Sequence, residues 1–109
     1  MGLLSVLGFG ESRQKVLDFL RQDARIMDIR SQEAFAESHL PGSVNITVEE
    51  LYLAAAELRR EGKPVLVCCG SGLRSDEVAA VLREAGLAAV NAGKHRRLKR
   101  LMIENKFLQ

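Results

Sequence analysis

Apolar residues recur along this chain with two alternating periods. In Ser12–Gln22, Val16, Leu17, Phe19 and Leu20 share one side of a 3.6-residue turn, which predicts an amphipathic helix with Ser12 as its N-cap. Ala24–Ile29 is a short β-rich run. Ser31 is placed to cap a short helix behind it. Pro41-Gly42 marks a turn before a strand at Val44–Ile46. Thr47 with Glu50 three residues later forms a capping box that opens a helix through VEELYLAAAELRRE, and Gly62 stops it. KPVLVCC is wholly apolar after its proline, the pattern of a strand buried on both faces of a parallel sheet. SDEVAAVLREAG reads as a helix, with acidic residues in the first turn and Gly86 at its end. LAAVNAG reads as a further strand and turn. KHRRLKRLMIENKFL closes the chain as a basic amphipathic helix, with Leu98, Leu101 and Met102 on one face. This alternation predicts an α/β domain, its mainly parallel central sheet flanked by helices on both faces.

The 109 residues, 47% hydrophobic and 28% charged, fit one compact domain with its own core. An apolar tail at residues 1–10 is expected to precede a single domain at 11–109. The tail lacks a basic n-region and a small-residue cleavage site, so it is a poor signal peptide. Val6 stands where a myristoylation signal needs Ser or Thr. The tail is read as loosely docked, the alternative being a partner-binding segment. No apolar run approaches the roughly 20 residues of a membrane helix. A cytoplasmic protein is expected, its two cysteines reduced and catalytic rather than cross-linked. Charge is uneven: seven basic and nine acidic side chains precede Glu61, and nine basic and five acidic follow from there on. The basic half holds both cysteines, which suits an anionic ligand.

Those cysteines stand together in VCCGSGLRS, Val67–Ser75. Gly70 and Gly72 let the backbone bend so that successive N–H groups point inward, and the helix expected to begin near Ser75 adds partial positive charge. A thiol at the mouth of such a cradle is favoured as thiolate, the nucleophilic form. Two spacings to Arg74 are available, Cys69-x4-Arg and Cys68-x5-Arg. Cys68 belongs to the apolar strand and should point into packing between sheet and helix. Cys69 ends the strand, at the carboxyl edge where open α/β sheets bind ligands. Geometry therefore favours Cys69. The shorter loop fits a sulfur-sized anion, a persulfide, and the longer count fits a phosphate group.

Two stretches together resemble the single-domain rhodanese family of sulfurtransferases. ARIMDIRSQEAFAESHLPGSVNI is similar to the family's first motif, and PVLVCCGSGLRSDEVAAVLREAG to its active-site motif. The resemblance spans roughly Ala24–Gly93 and implies a rhodanese-like fold. It places the nucleophile at Cys69 and the anion-holding loop at Gly70, Ser71, Gly72, Leu73, Arg74 and Ser75. It implies that Cys69 takes the outer sulfur of a small anionic donor such as thiosulfate and passes it to a thiol or protein acceptor, with no metal or organic cofactor.

The remaining candidates are supports. Asp28 and Arg30 end the first strand beside Cys69 and are read as structural. His39 is read as a hydrogen-bonder that fixes its loop, and Asn45 as a loop brace. The family pattern breaks at Lys94, where a second glycine is expected. Lys94, His95, Arg96 and Arg97 are candidates for the rim of the site, the alternative being a solvated basic face. Nucleic-acid binding is not indicated, because a basic helix alone does not define such a site. Two other functions stay open: a phosphatase or arsenate reductase using the Cys68 spacing, and a non-catalytic persulfide carrier or regulatory module.

Overall fold

The computed structural model describes residues 10–108. The apolar stretch at 1–10 lies outside the described residues apart from Gly10. The elements in chain order are α1 (Arg13–Arg21), β1 (Arg25–Asp28), α2 (Gln32–Glu37), β2 (Val44–Asn45), α3 (Leu51–Glu61), β3 (Val65–Cys69), α4 (Leu73–Glu84), β4 (Ala89–Lys94) and α5 (His95–Glu104). The four strands form one parallel sheet in the order β2-β1-β3-β4. Helices cover both faces, as the alternating pattern predicts.

Local chemistry sets the element ends. The Ser12 and Ser31 hydroxyls accept the N–H groups of Lys15 and Ala34, capping α1 and α2. The Thr47–Glu50 capping box forms, but it opens a 3₁₀ turn at Val48–Glu50, and α3 starts only at Leu51. Gly62 ends α3 at φ 72°, a left-handed conformation that an L side chain resists.

Two boundaries differ from the expected ones. α4 begins at Leu73, because Gly72 at φ 85° completes the turn by itself, so Arg74 and Ser75 belong to the first helical turn. Asn91-Ala92-Gly93 is not a turn: β4 runs through it to Lys94 and passes directly into α5. A bulge in the β3–β4 pairing takes up the extra residue, so that Val67 faces Asn91 but Cys68 faces Gly93.

The core is split by the sheet into two clusters. Leu66 and Cys68 of β3 pack with Val16, Leu17, Leu98 and Leu101 on the α1/α5 side. Val65, Val67 and Cys69 pack with Leu58, Val78 and Leu82 on the α3/α4 side. Successive side chains of a strand alternate in face, so two adjacent cysteines inevitably separate. Leu66 is wholly buried, whereas Leu53 on α3 is 77% exposed. Leu66→Ala is expected to cost about 2–5 kcal/mol in urea unfolding, and Leu53→Ala less than about 0.5 kcal/mol.

Candidate active site

The site lies at the carboxyl ends of β1, β3 and β4. Cys68 and Cys69 are both free thiols. Cys68 is fully buried on the α1/α5 face. Burial pushes its thiol well up, and the Asp28 carboxylate adds to this against the opposing charge of Arg30. Such a thiol stays protonated and inert.

Cys69 differs because of where its face leads. Its Sγ sits at the N-terminus of α4. It accepts the Gly72 N–H at 3.0 Å and donates to the Ser75 hydroxyl at 3.2 Å. Burial pushes this thiol up. Hydrogen bonds from the Ser75 side chain and from the Ser75, Gly72 and Ser71 backbone act the other way and prevail, leaving it below the usual thiol value. Its mouth is a cavity of about 350 Å³ that Arg30, Ser71 and Arg74 also line.

The loop is fixed by a residue that sequence reasoning passed over. Asn91, 1% exposed on β4, accepts the Ser75 hydroxyl at 2.6 Å and the Gly93 N–H at 2.8 Å on its Oδ1. Its Nδ2 donates to the Gly72 carbonyl at 2.9 Å. One amide thus holds the close of the loop and the first turn of α4 to β4. The available signal is an asparagine inside an apolar run, and it is masked because Asn is also a common turn residue.

The supporting residues behave as structural pieces. Asp28 is fully buried and accepts from Arg30 four times, through its backbone N–H, twice from Nε and once from Nη2, at 2.9–3.1 Å. Arg30 Nη2 also donates to the Ser38 carbonyl at 2.6 Å. Asn45 donates to the Asp28 and Arg30 carbonyls, bracing the same corner. His39 stacks on Phe35 and hydrogen-bonds its carbonyl at 2.8 Å, away from the Cys69 cavity.

The expected basic rim divides. Lys94 pairs with Cys69 in the sheet, but its side chain is not among those lining the Cys69 cavity. Arg97 turns to the opposite side and donates to the Ala92 and Glu11 carbonyls, so it clamps the segment that leads into α1. His95 and Arg96 line a second cavity, which has Arg30 alone in common with the first.

A family model described as rhodanese-like domain matches residues 12–94. The chain belongs to that family. This rhodanese-like domain is 35% identical over 68 residues to a tRNA sulfurtransferase of Thermoplasma acidophilum, covering 62% of the chain and 13% of that relative. It is 33% identical over 70 residues to the thiosulfate sulfurtransferase GlpE of Coxiella burnetii, covering 64% of each. The chain therefore spans less than two thirds of either relative. The reduced CoADR-RHD protein of Bacillus anthracis shares the fold, with a TM-score of 0.65 at 22% identity, over 91% of this chain and 18% of that one. No helix among the described residues is long and apolar enough to cross a membrane.

Because thiolate is the reactive form, alkylation of Cys69 should set in at lower pH than for a free cysteine, whose pKa is about 8.5. Ser75→Ala removes a hydrogen bond that favours the thiolate, so the midpoint of its iodoacetamide profile should move to higher pH. Cys68 should stay unlabelled until the protein unfolds. Peptide mapping of the alkylated protein across a pH series checks all three.

Proposed function

We propose that this domain is a sulfurtransferase that carries a sulfane sulfur as a persulfide on Cys69. The observation that carries the reading is the seat of the Cys69 sulfur at the N-terminus of α4, with the Gly72 N–H 3.0 Å away. The names of the two relatives point to the same class of reaction, and that of GlpE to thiosulfate as donor.

The chemistry is two displacements at sulfur. The Cys69 thiolate attacks the outer sulfur of thiosulfate; a new S–S bond forms as the old one breaks, and sulfite leaves with the electron pair. The outer sulfur of the resulting persulfide carries the negative charge. The N–H groups around the loop and the helix N-terminus stabilise that charge. Arg74, on the first turn of α4, holds the sulfonate end of the donor. An acceptor thiolate, or cyanide in an assay, then attacks the outer sulfur and leaves with it, restoring the Cys69 thiolate. No net oxidation occurs and no cofactor takes part. A persulfide donor enters by the same route, and a domain that only relays sulfur between proteins would use the same cysteine. The phosphatase reading from Cys68-x5-Arg74 draws no support from this geometry, because the Cys68 thiol faces away from α4.

Cys69→Ser should abolish persulfide formation, while Cys68→Ala should keep most of it; intact mass after thiosulfate treatment reads this as one added sulfur or none. A live Cys69→Ser variant beside a dead Cys68→Ala variant would sink the assignment. Turnover of thiosulfate with cyanide should exceed hydrolysis of an aryl phosphate, and aryl phosphate hydrolysis without sulfur transfer would overturn the reaction class.

A further inference from the structure

Across Arg30 from the Cys69 cavity lies a second cavity of about 600 Å³. Its size falls within the roughly 300–1,000 Å³ range of small-molecule sites. Ser38 and Arg30 form one side of it, and α5 forms the other with His95, Arg96, Lys99 and Arg100. Glu104 is the one carboxylate in its lining. Arg30 is committed to Asp28 and Ser38, but the α5 cations that line the cavity are not in structural use. Among the described residues, Arg96, Lys99 and Arg100 make no side-chain hydrogen bond or ion pair, whereas Arg97 on the same helix is committed to two carbonyls.

The His95 ring adds an independent mark. It is 8% exposed, and its Nε2 is buried without a hydrogen-bond partner. Buried polar atoms are nearly always paired, so a lone nitrogen on a residue that lines a basic cavity marks a place where a polar ligand would supply the missing partner. Burial, helped by the charge of Arg30, holds the ring below its usual pKa, so at neutral pH it can offer one hydrogen bond without adding charge.

The cavity also lies in the right place. Lys94 is the sheet partner of Cys69, and His95 follows it directly. Arg30 lines both cavities, so the α5 cavity opens at the same carboxyl edge of the sheet as the Cys69 cavity, on the α5 side of that arginine. A molecule that spans Arg30 would have one end at Cys69 and the other among the cations of α5. Thiosulfate is too short to fill both spaces. The second substrate of the reaction, the sulfur acceptor, is the molecule that can use them together.

We propose that the α5 cavity is an acceptor subsite, which binds the carboxylate groups of a small anionic thiol while its sulfur reaches the persulfide on Cys69. This rests on the persulfide reading above. The acceptor thiolate attacks the outer sulfur of the Cys69 persulfide, the S–S bond to Cys69 breaks, and the acceptor leaves as its own persulfide. Arg30, fixed by Asp28 and Ser38, forms the wall between the two ends. The subsite selects acceptors by charge and leaves the donor step untouched.

Glutathione and its diethyl ester test this directly, since they share a thiol and a length but differ in carboxylate charge. The variant is the triple substitution Arg96→Gln, Lys99→Gln and Arg100→Gln, at side chains that make no hydrogen bond or ion pair among the described residues. In the parent protein, glutathione should be the better acceptor of the pair. In the variant its kcat/KM should fall about tenfold, the effect of three partly exposed charge contacts, and the diethyl ester and cyanide should be unaffected. The KM for thiosulfate and the single added sulfur on Cys69 should stay as in the parent.

A second readout does not depend on turnover. The chain has two histidines, so the ring signals of His95 and His39 are easily assigned by NMR. S-methylglutathione, which cannot react, should shift the His95 signal in the parent but not in the triple variant, and should leave His39 unmoved. Equal loss with all acceptors, a raised KM for thiosulfate alone, or no His95 shift would overturn the subsite. So would binding of an acidic peptide or of RNA that depends on these cations where glutathione shows none. If the parent forms no persulfide at all, the sulfurtransferase reading fails, and the His95 titration still decides whether the cavity binds the anion.

Discussion

The carboxamide of Asn91 is the joint on which the cradle depends. It is buried in β4, where an unpaired amide would cost about 1–3 kcal/mol, and it is fully engaged. Its oxygen takes the Ser75 hydroxyl from the first turn of α4 and the N–H of Gly93 from its own strand. Its nitrogen reaches the Gly72 carbonyl at the end of the loop. The end of the loop and the start of α4 are thereby held against a strand that is itself hydrogen-bonded to β3. The Gly72 N–H that meets Cys69 is aimed by this arrangement, since the Gly72 carbonyl is already tied down.

The corner on the other side of Cys69 depends on a buried ion pair. Asp28 stands between β2 and β3 in the sheet, opposite Asn45 and Cys68, where an isolated carboxylate could not persist. Arg30 neutralises it through both Nε and Nη2 and also satisfies the Ser38 carbonyl. Removing one partner of such a pair typically costs about 3–5 kcal/mol, because the other is left charged and buried. Fixing Arg30 also fixes the wall between the cavity of Cys69 and that of α5. The charge of Asp28 reaches Cys68 as well and helps keep that thiol protonated, so the same carboxylate supports one corner of the site and silences the adjacent cysteine.

Much of this was legible in the sequence, because it follows from period and position. Alternation along VLVCC puts the two thiols on opposite faces, and only the last strand residue can meet the turn. The placement of Asp28, Arg30, His39 and Asn45 was readable from strand ends and a Pro-Gly turn, since it follows from where the strands stop. Asn91 was not, because a single asparagine after Val90 obeys turn statistics as well as it obeys a buried strand. What decides between them is the set of partners across the fold, in Gly72, Ser75 and Gly93. The basic segment divides for a similar reason. Arg96 and Arg97 are adjacent and chemically identical, yet the helix sends one to an open cavity and the other to the Ala92 and Glu11 carbonyls. Local sequence carries no mark of which carbonyls wait on which side.

The network around Ser75 also explains how Cys69 can lose its proton inside a buried site. The Ser75 hydroxyl has one hydrogen. While Cys69 is a thiol, that hydrogen goes to Asn91 Oδ1 at 2.6 Å, and the thiol donates to Ser75 Oγ at 3.2 Å. When the thiol ionises, the hydroxyl can turn its hydrogen to the sulfur instead. Asn91 Oδ1 then keeps the Gly93 N–H at 2.8 Å, so no buried acceptor is left without a partner. A charged acceptor strengthens the hydrogen bonds it receives, from Ser75 and from the Gly72 N–H alike. The change of charge state therefore needs the rotation of one hydroxyl and no movement of backbone. A nucleophilic thiol has to accept such changes whenever it gains or loses its proton, and the second anchor on Asn91 is what makes Ser75 free to respond.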